Sequence, residues 1–303
     1  MKYLLTIFLV ISSVIRAGGF EDLGISARVK SLGGAGIALH GAPYLQFYNA
    51  ASVAYAENYS VSASYSNLYP DVEGDNLNYV SFSGLIPLPY IGKFGAGINM
   101  LNTDLWKEYL IQAGYGIELL PRLTVGGAVK FLGWSATAAP GEDALSYVGL
   151  TFDAGAIYTF DEVTGQDAFS LGLSIRNITN PSIASNGSSD ASLPISMALG
   201  TVYQSKKYEY LILADVVMEN DIIGLRCGAE FLSARYSVFG YNNDFFIRGG
   251  YNNLLSADFA RESGLSGGFG LNVETVKIDY AYIYPLELKF VGGSHKLTVT
   301  YNF

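Results

Sequence analysis

Few residues in this chain are of a kind that does chemistry. The two histidines, His40 and His295, stand far apart in the sequence. Ser294 precedes His295, but neighbours on a strand point to opposite faces, which argues against a nucleophile–base pair. His40 has no cluster of ligating residues around it, so no metal centre is expected. The single cysteine, Cys227, forms neither an internal disulfide nor a thiolate cluster. A Gly-rich run, Ser31-Leu-Gly33-Gly34-Ala-Gly36, has neither dinucleotide-binding nor phosphate-loop spacing, and no Lys-Ser/Thr follows it. These residues therefore predict no catalysis, no cofactor and no metal. A net charge of -9 with few bases also makes nucleic acid a poor partner.

What remains is a set of isolated charges: Glu118, Lys130, Asp153, Arg176, Arg226, Glu230, Arg248 and Asp279. Each lies in a segment where apolar residues alternate with Gly, Ser, Thr or Ala. Phe169-Ser-Leu171-Gly-Leu173-Ser-Ile175-Arg176 is the cleanest such segment. Strict alternation makes one face of a strand apolar and the other not. Small residues with scattered charges of both signs are unusual for a solvated outer surface, but they suit a crowded lumen with internal ion pairs. The expectation is a barrel with these eight charges inside and the apolar face on lipid.

Composition points the same way. Half of the 303 residues are hydrophobic and 15% are charged, with 35 Gly, 23 Tyr and 17 Phe. Beyond residue 17 no apolar run approaches the roughly 18 residues that a membrane helix needs. The 14% aromatic content excludes a disordered chain. Residues 1–17 read as a signal peptide: Lys2, an apolar stretch from Leu4 to Ile15, and cleavage after Ala17.

From about residue 57 the pattern predicts about 14 antiparallel strands, at 57–68, 76–86, 92–101, 107–119, 122–132, 147–160, 168–177, 194–204, 208–217, 222–232, 244–252, 264–274, 276–284 and 294–303. An even number suits closure. Strands 4–5, 8–9 and 12–13 are joined by one to three residues, whereas longer loops follow strands 5, 7, 11 and 13. Short turns on one rim and long loops on the other form the outer-membrane pattern. Residues 233–243 break it, being too long for a connection on the short-turn rim. The ninth strand is also ambiguous, because Leu211 and Leu213 share a face with Asp215.

The chain ends Leu297-Thr-Val299-Thr-Tyr301-Asn-Phe303. A terminal aromatic preceded by apolar residues at every second position is the form of a sorting signal that the barrel assembly machinery binds by edge pairing. Residues 18–56 do not alternate cleanly, and Gly33, Gly34, Gly36 and Asn49 mark them as a plug or hatch packed in the lumen. Trp106, Trp134, Tyr59, Tyr203 and Tyr208, near strand ends, suit an interfacial girdle or simple β propensity. Cys227 falls on the lipid side with Leu225 and Ala229. Leu171→Arg is expected to hinder insertion, and Gly172→Ser to be milder.

Two stretches carry a family resemblance. The first is Gly24-Ile-Ser-Ala27-Arg28, with Leu32-Gly33-Gly34-Ala35-Gly36 and Tyr48-Asn49-Ala50-Ala51; the second is Ile278-Asp279-Tyr280-Ala281-Tyr282, with Gly292-Gly293-Ser294-His295-Lys296-Leu297. They resemble FadL-like outer-membrane barrels and, more closely, the PorV/PorQ family. The chain departs from that family at Asn49-Ala50-Ala51, where Asn-Pro-Ala is usual. The resemblance implies one of two roles. The first is type IX protein secretion or a related export, with secretion components and cargo as partners. The alternative is a channel for hydrophobic solutes such as long-chain fatty acids. Either role places the protein in the bacterial outer membrane.

Overall fold

The computed structural model describes residues 19–20, 22–70, 77–138, 143–161, 167–185, 191–219, 222–238, 240–254, 263–286 and 292–303. The expected signal peptide lies outside the described residues. Fourteen antiparallel strands close into one barrel, in which each pairs with its sequence neighbours and β1 pairs with β14. They are β1 Ser60–Leu68, β2 Leu77–Leu88, β3 Gly92–Asn102, β4 Trp106–Leu120, β5 Leu123–Ala136, β6 Leu145–Asp161, β7 Asp167–Arg176, β8 Ser196–Ser205, β9 Tyr210–Glu219, β10 Ile222–Val238, β11 Tyr241–Leu254, β12 Gly264–Val273, β13 Val276–Pro285 and β14 Ser294–Asn302. Among the described residues no helix is long and apolar enough to cross a membrane; the chain crosses with strands.

Alternation sets the two faces. In β1 the serines 60, 62, 64 and 66 are buried and the residues between them face outward. Val61, Phe82, Ile111, Phe131, Leu199 and Ile247 are each more than 40% exposed on the outside. An exposed apolar belt of that extent belongs against lipid.

Residues 233–243 prove to be mostly strand. β10 ends at Val238 and β11 begins at Tyr241, so this connection is short like the others on its rim. A register shift between Leu232 and Ala234 inserts one extra residue and swaps the faces beyond it. That swap breaks the alternation and hides the strand in the sequence. The ambiguity of β9 has a different cause. Leu211, Leu213, Asp215 and Val217 all face inward, and the leucines and Val217 pack on a second apolar core inside the barrel.

That core comes from the N-terminal segment. Ser26 caps a short helix, α1 (Ala27–Ser31), by accepting the Val29 N–H. Two 3-10 turns follow, Pro43–Phe47 and Ala50–Tyr55. α1 packs on β11 to β14, the first turn on β1 to β3, and the second on β3 to β6. Leu32, Leu45 and Val53 are fully enclosed. The loop between β7 and β8 also folds in: Ile183 and Leu193 pack with Leu132, and the Trp134 indole N–H donates to the Ile183 carbonyl at 2.7 Å. Trp134 is thus an interior residue, stacked on Trp106 with centroids 4.4 Å apart, and not part of an outer girdle.

Candidate functional site

The lumen holds most of the polar side chains that reach across the molecule. Its first group surrounds α1. The Arg28 guanidinium donates twice to Glu230, Nη2 to Oε1 at 2.7 Å and Nε to Oε2 at 2.8 Å. Glu230 Oε2 also accepts from Arg248 Nε at 2.5 Å, and Arg248 Nη1 donates to Asp279 Oδ1 at 2.7 Å. One chain of alternating charges therefore runs from the plug through β10 and β11 to β13. Arg248 reaches Asp279 past Gly270, where a Cβ would sit 2.3 Å from its Nη2. Bidentate geometry and full pairing are the conditions under which buried charges are tolerated. Glu230 offsets the burial of Arg28 and raises the guanidinium pKa further. Burial and the nearby Asp279 push the Tyr44 hydroxyl up to about 12.

Asp22 anchors the start of the segment. It accepts the N–H groups of Gly24 and Ile25 at 3.1 and 2.9 Å and the Tyr48 hydroxyl at 2.7 Å, and it pairs with Lys30 at 3.1 Å. Burial alone would raise this carboxyl. Lys30, the Ile25 N–H and Tyr48 together outweigh burial and hold it at about 2. The seam between β1 and β14 adds a row of hydroxyls. Ser64 and Thr298 lie 2.8 Å apart, Ser64 donates to the Ile25 carbonyl at 2.8 Å, and Thr298 accepts the Ala27 N–H at 2.8 Å.

The glycine motif acts through close approach. Gly33 has φ +70°, and a Cβ there would sit 2.5 Å from the carbonyls of Cys227 and Tyr251. Only glycine combines that left-handed backbone with contact against the wall. Gly34 has φ +78°. The N–H groups of Gly36 and Ile37 both donate to Asp215 Oδ2, at 2.6 and 3.0 Å. Asn49 ties the second half down. Its amide donates to the carbonyls of Ile37, Leu173 and Ala156 at 2.8, 3.2 and 3.3 Å, while its Oδ1 caps the second 3-10 turn at the Ala51 N–H.

The other charges named from the sequence are distributed around this N-terminal segment. Lys130 and Asp153 pair at 2.8 Å in the interior, and Lys130 also donates to Asn177. Arg176 lies 3.5 Å from Glu219. Arg226 leans on the Gly34 carbonyl at 3.5 Å. Glu118 differs: it is exposed at the short-turn rim, where it accepts the Arg122 N–H across the β4–β5 turn. Leu297, Val299, Tyr301 and Phe303 all lie on the outer face. Cys227 is exposed there too. His40 stacks on Tyr55 with ring centroids 3.8 Å apart, and His295 meets the Tyr280 hydroxyl at 2.7 Å. Sequence reasoning missed Arg28, Asp22 and Asp215 as plug anchors. Charges in segments otherwise apolar or glycine-rich were their only signal.

Residues of the N-terminal segment line two cavities. One of about 560 Å³ opens among the short-turn ends of β6 to β11, lined by plug residues Arg28, Leu39 and His40 and by wall residues including Val202, Leu211 and Phe246. Another of about 70 Å³ lies at the long-loop end between Asp22, Lys30, Arg226 and Lys296. By the outer-membrane pattern the short turns face the periplasm.

A sequence model of the type IX secretion system membrane protein PorP/SprF family matches residues 135–301, more than half of the chain. The chain belongs to this family. The match names PorP/SprF, whereas the resemblance read from the sequence was to PorV/PorQ; both point to type IX secretion. No curated protein matches this PorP/SprF-family chain in sequence. Solved barrels match it in fold. A deletion mutant of the TodX monoaromatic hydrocarbon channel superposes with a TM-score of 0.66 at 13% identity, covering 93% of this chain and 100% of the other. The Ralstonia pickettii toluene transporter TbuX gives 0.62 at 12%, covering 94% and 100%. A Pseudomonas aeruginosa FadL homologue gives 0.60 at 11%, covering 92% and 98%. Family and fold place this PorP/SprF-family protein in the bacterial outer membrane, in a family of type IX secretion system membrane proteins.

Proposed function

We propose that this barrel serves type IX secretion as a receiving or docking component at the outer membrane, in the manner of PorV/PorQ-like proteins, and not as an open bore. One observation carries the reading: the N-terminal segment is fixed to opposite walls at once. The charge chain from Arg28 to Asp279 holds it on β10, β11 and β13, and Asn49 holds it on β6 and β7. Opening a passage would mean breaking both sets inside a confined, poorly hydrated space, where unpaired polar groups are costly. In this reading residues 18–56 act as a resident plug, residues 57–303 form the wall, and residues 1–17 direct export. The four outward apolar residues of the last strand serve recognition by the assembly machinery.

A second reading, a channel for hydrophobic solutes, draws on the hydrocarbon channels and transporters of the same fold and on the apolar part of the 560 Å³ cavity. Deleting the gene and measuring both processes separates the two. Secretion predicts loss of secreted cargo with unchanged uptake of toluene and long-chain fatty acids. The reverse pattern would establish the channel. Removing Phe303 is expected to lower the yield of folded barrel in the outer membrane. An unchanged yield would discard the sorting role.

A further inference from the structure

The β10–β11 hairpin outgrows its neighbours on the short-turn rim. β9 starts at Tyr210, which pairs with Phe231 of β10. β10 continues to Val238 and pairs there with β11 alone. The Leu232 N–H donates to the Glu209 carbonyl at 3.0 Å, the last backbone bond on that side. Among the described residues, 233–238 then face no strand on the β9 side. Six residues at roughly 3.3 Å each make a free edge of about 20 Å. Residues 233–237 are exposed.

Free edges are usually blunted by charges, proline or a cover. The one charge here, Arg235, is turned to other work. Its guanidinium lies 2.9 Å from Glu209 and 2.8 Å from Asp244, and it lines the large cavity. The register shift at Leu232/Ala234 brings this about by swapping the faces of the strand. The edge therefore rises directly from the cavity mouth, where Leu232, Arg235 and Phe246 form the foot of the hairpin.

We propose that this edge binds an extended polypeptide segment of a periplasmic secretion partner, added as a strand beside β10 with one end laid into the cavity. A row of unpaired N–H and C=O groups at strand spacing is matched by another strand backbone. The cavity wall, part apolar at Val202 and Leu211 and part polar at Gln204 and Lys206, suits the mixed side chains of a peptide end. The partner's identity rests on the secretion reading above; strand addition itself does not.

The test uses the full-length protein in nanodiscs, hydrogen–deuterium exchange read by mass spectrometry, and a ten-residue peptide alternating Thr and Val. A second copy of the peptide, N-methylated at every residue, has no backbone donor on either edge. The plain peptide is expected to slow exchange at residues 233–238 at least tenfold, and the methylated one to leave it unchanged. No slowing at millimolar peptide, equal slowing by both peptides, or slowing confined to other residues would each overturn the proposal. None of these outcomes bears on the gene-deletion result, so failure here is distinguishable from failure of the secretion role.

Discussion

The two halves of the plug are held by different physics. Residues 22–34 are held mainly by charge: Asp22 and Lys30 pair within the segment, and Arg28 fastens it to Glu230 of the wall, with Arg248 and Asp279 behind. Residues 36–56 are gripped mainly by fit, with backbone lying against inward glycines and Asn49 and Gln46 bonded to wall carbonyls. Charge-held contacts respond to protonation and fail abruptly when one partner is lost. Fitted contacts respond to volume.

The largest expected effect comes from the charged half. Glu230→Ala leaves Arg28 and Arg248 without their shared carboxylate, and stranding buried charge costs about 3–5 kcal/mol. Denaturant unfolding in detergent should register that loss, and protease should nick α1 before the wall unfolds. A change below 1 kcal/mol would mean that fit dominates both halves.

Next comes Gly172→Ser. The alternation of β7 ranks this inner-face change as milder than Leu171→Arg; a Cβ there would sit 2.5 Å from the Ile37 carbonyl and 2.9 Å from Ala38 Cα. The neighbour is backbone, so the plug must shift, and overpacking of this kind costs about 1–3 kcal/mol. The effect should exceed that of an isosteric change on the outer face, such as Leu171→Met, in the same unfolding assay. Parity of the two would show that the second half is loosely seated.

Asn49→Ala removes a cap, two bonds to wall carbonyls and one to Ile37 of its own segment, a loss of about 1–2 kcal/mol. Faster amide exchange at Ala51 with unchanged exchange in α1 would keep the halves separate; equal acceleration would merge them.

Comparable in size is the effect of acid on Asp22. Its folded-state carboxyl ionises at about 2, below the ordinary 3.8. The stability it contributes is therefore complete above 3.8 and is lost as pH falls through about 2. Pepsin should cut near residue 22 increasingly over that interval. In Asp22→Asn the carboxylate is gone at every pH, so the trend should disappear.

The wall was legible in the sequence and the plug's fastenings were not. Alternation is local, so β1, β7 and β14 announce themselves within ten residues. It failed where one residue intruded, at the bulge after Leu232. It was also ambiguous in β9, where both faces meet something apolar, the outer one lipid and the inner one Ile37 and Leu39. Gly33, Gly34, Gly36 and Asn49 could be picked out as unusual. That Arg28 meets Glu230, 202 residues away, follows only from how the barrel closes. Charges of both signs on inner faces imply pairs without saying which.

The seam between β1 and β14 carries a consequence for the order of assembly. Thr298, on the last strand, meets Ser64 across the seam and the Ala27 backbone in the plug. The plug precedes β1 in the chain, and its socket lacks one wall until β14 docks. The first-made residues must therefore be in place when the last-made strand arrives, and a barrel that zipped shut early would trap its own N-terminus outside.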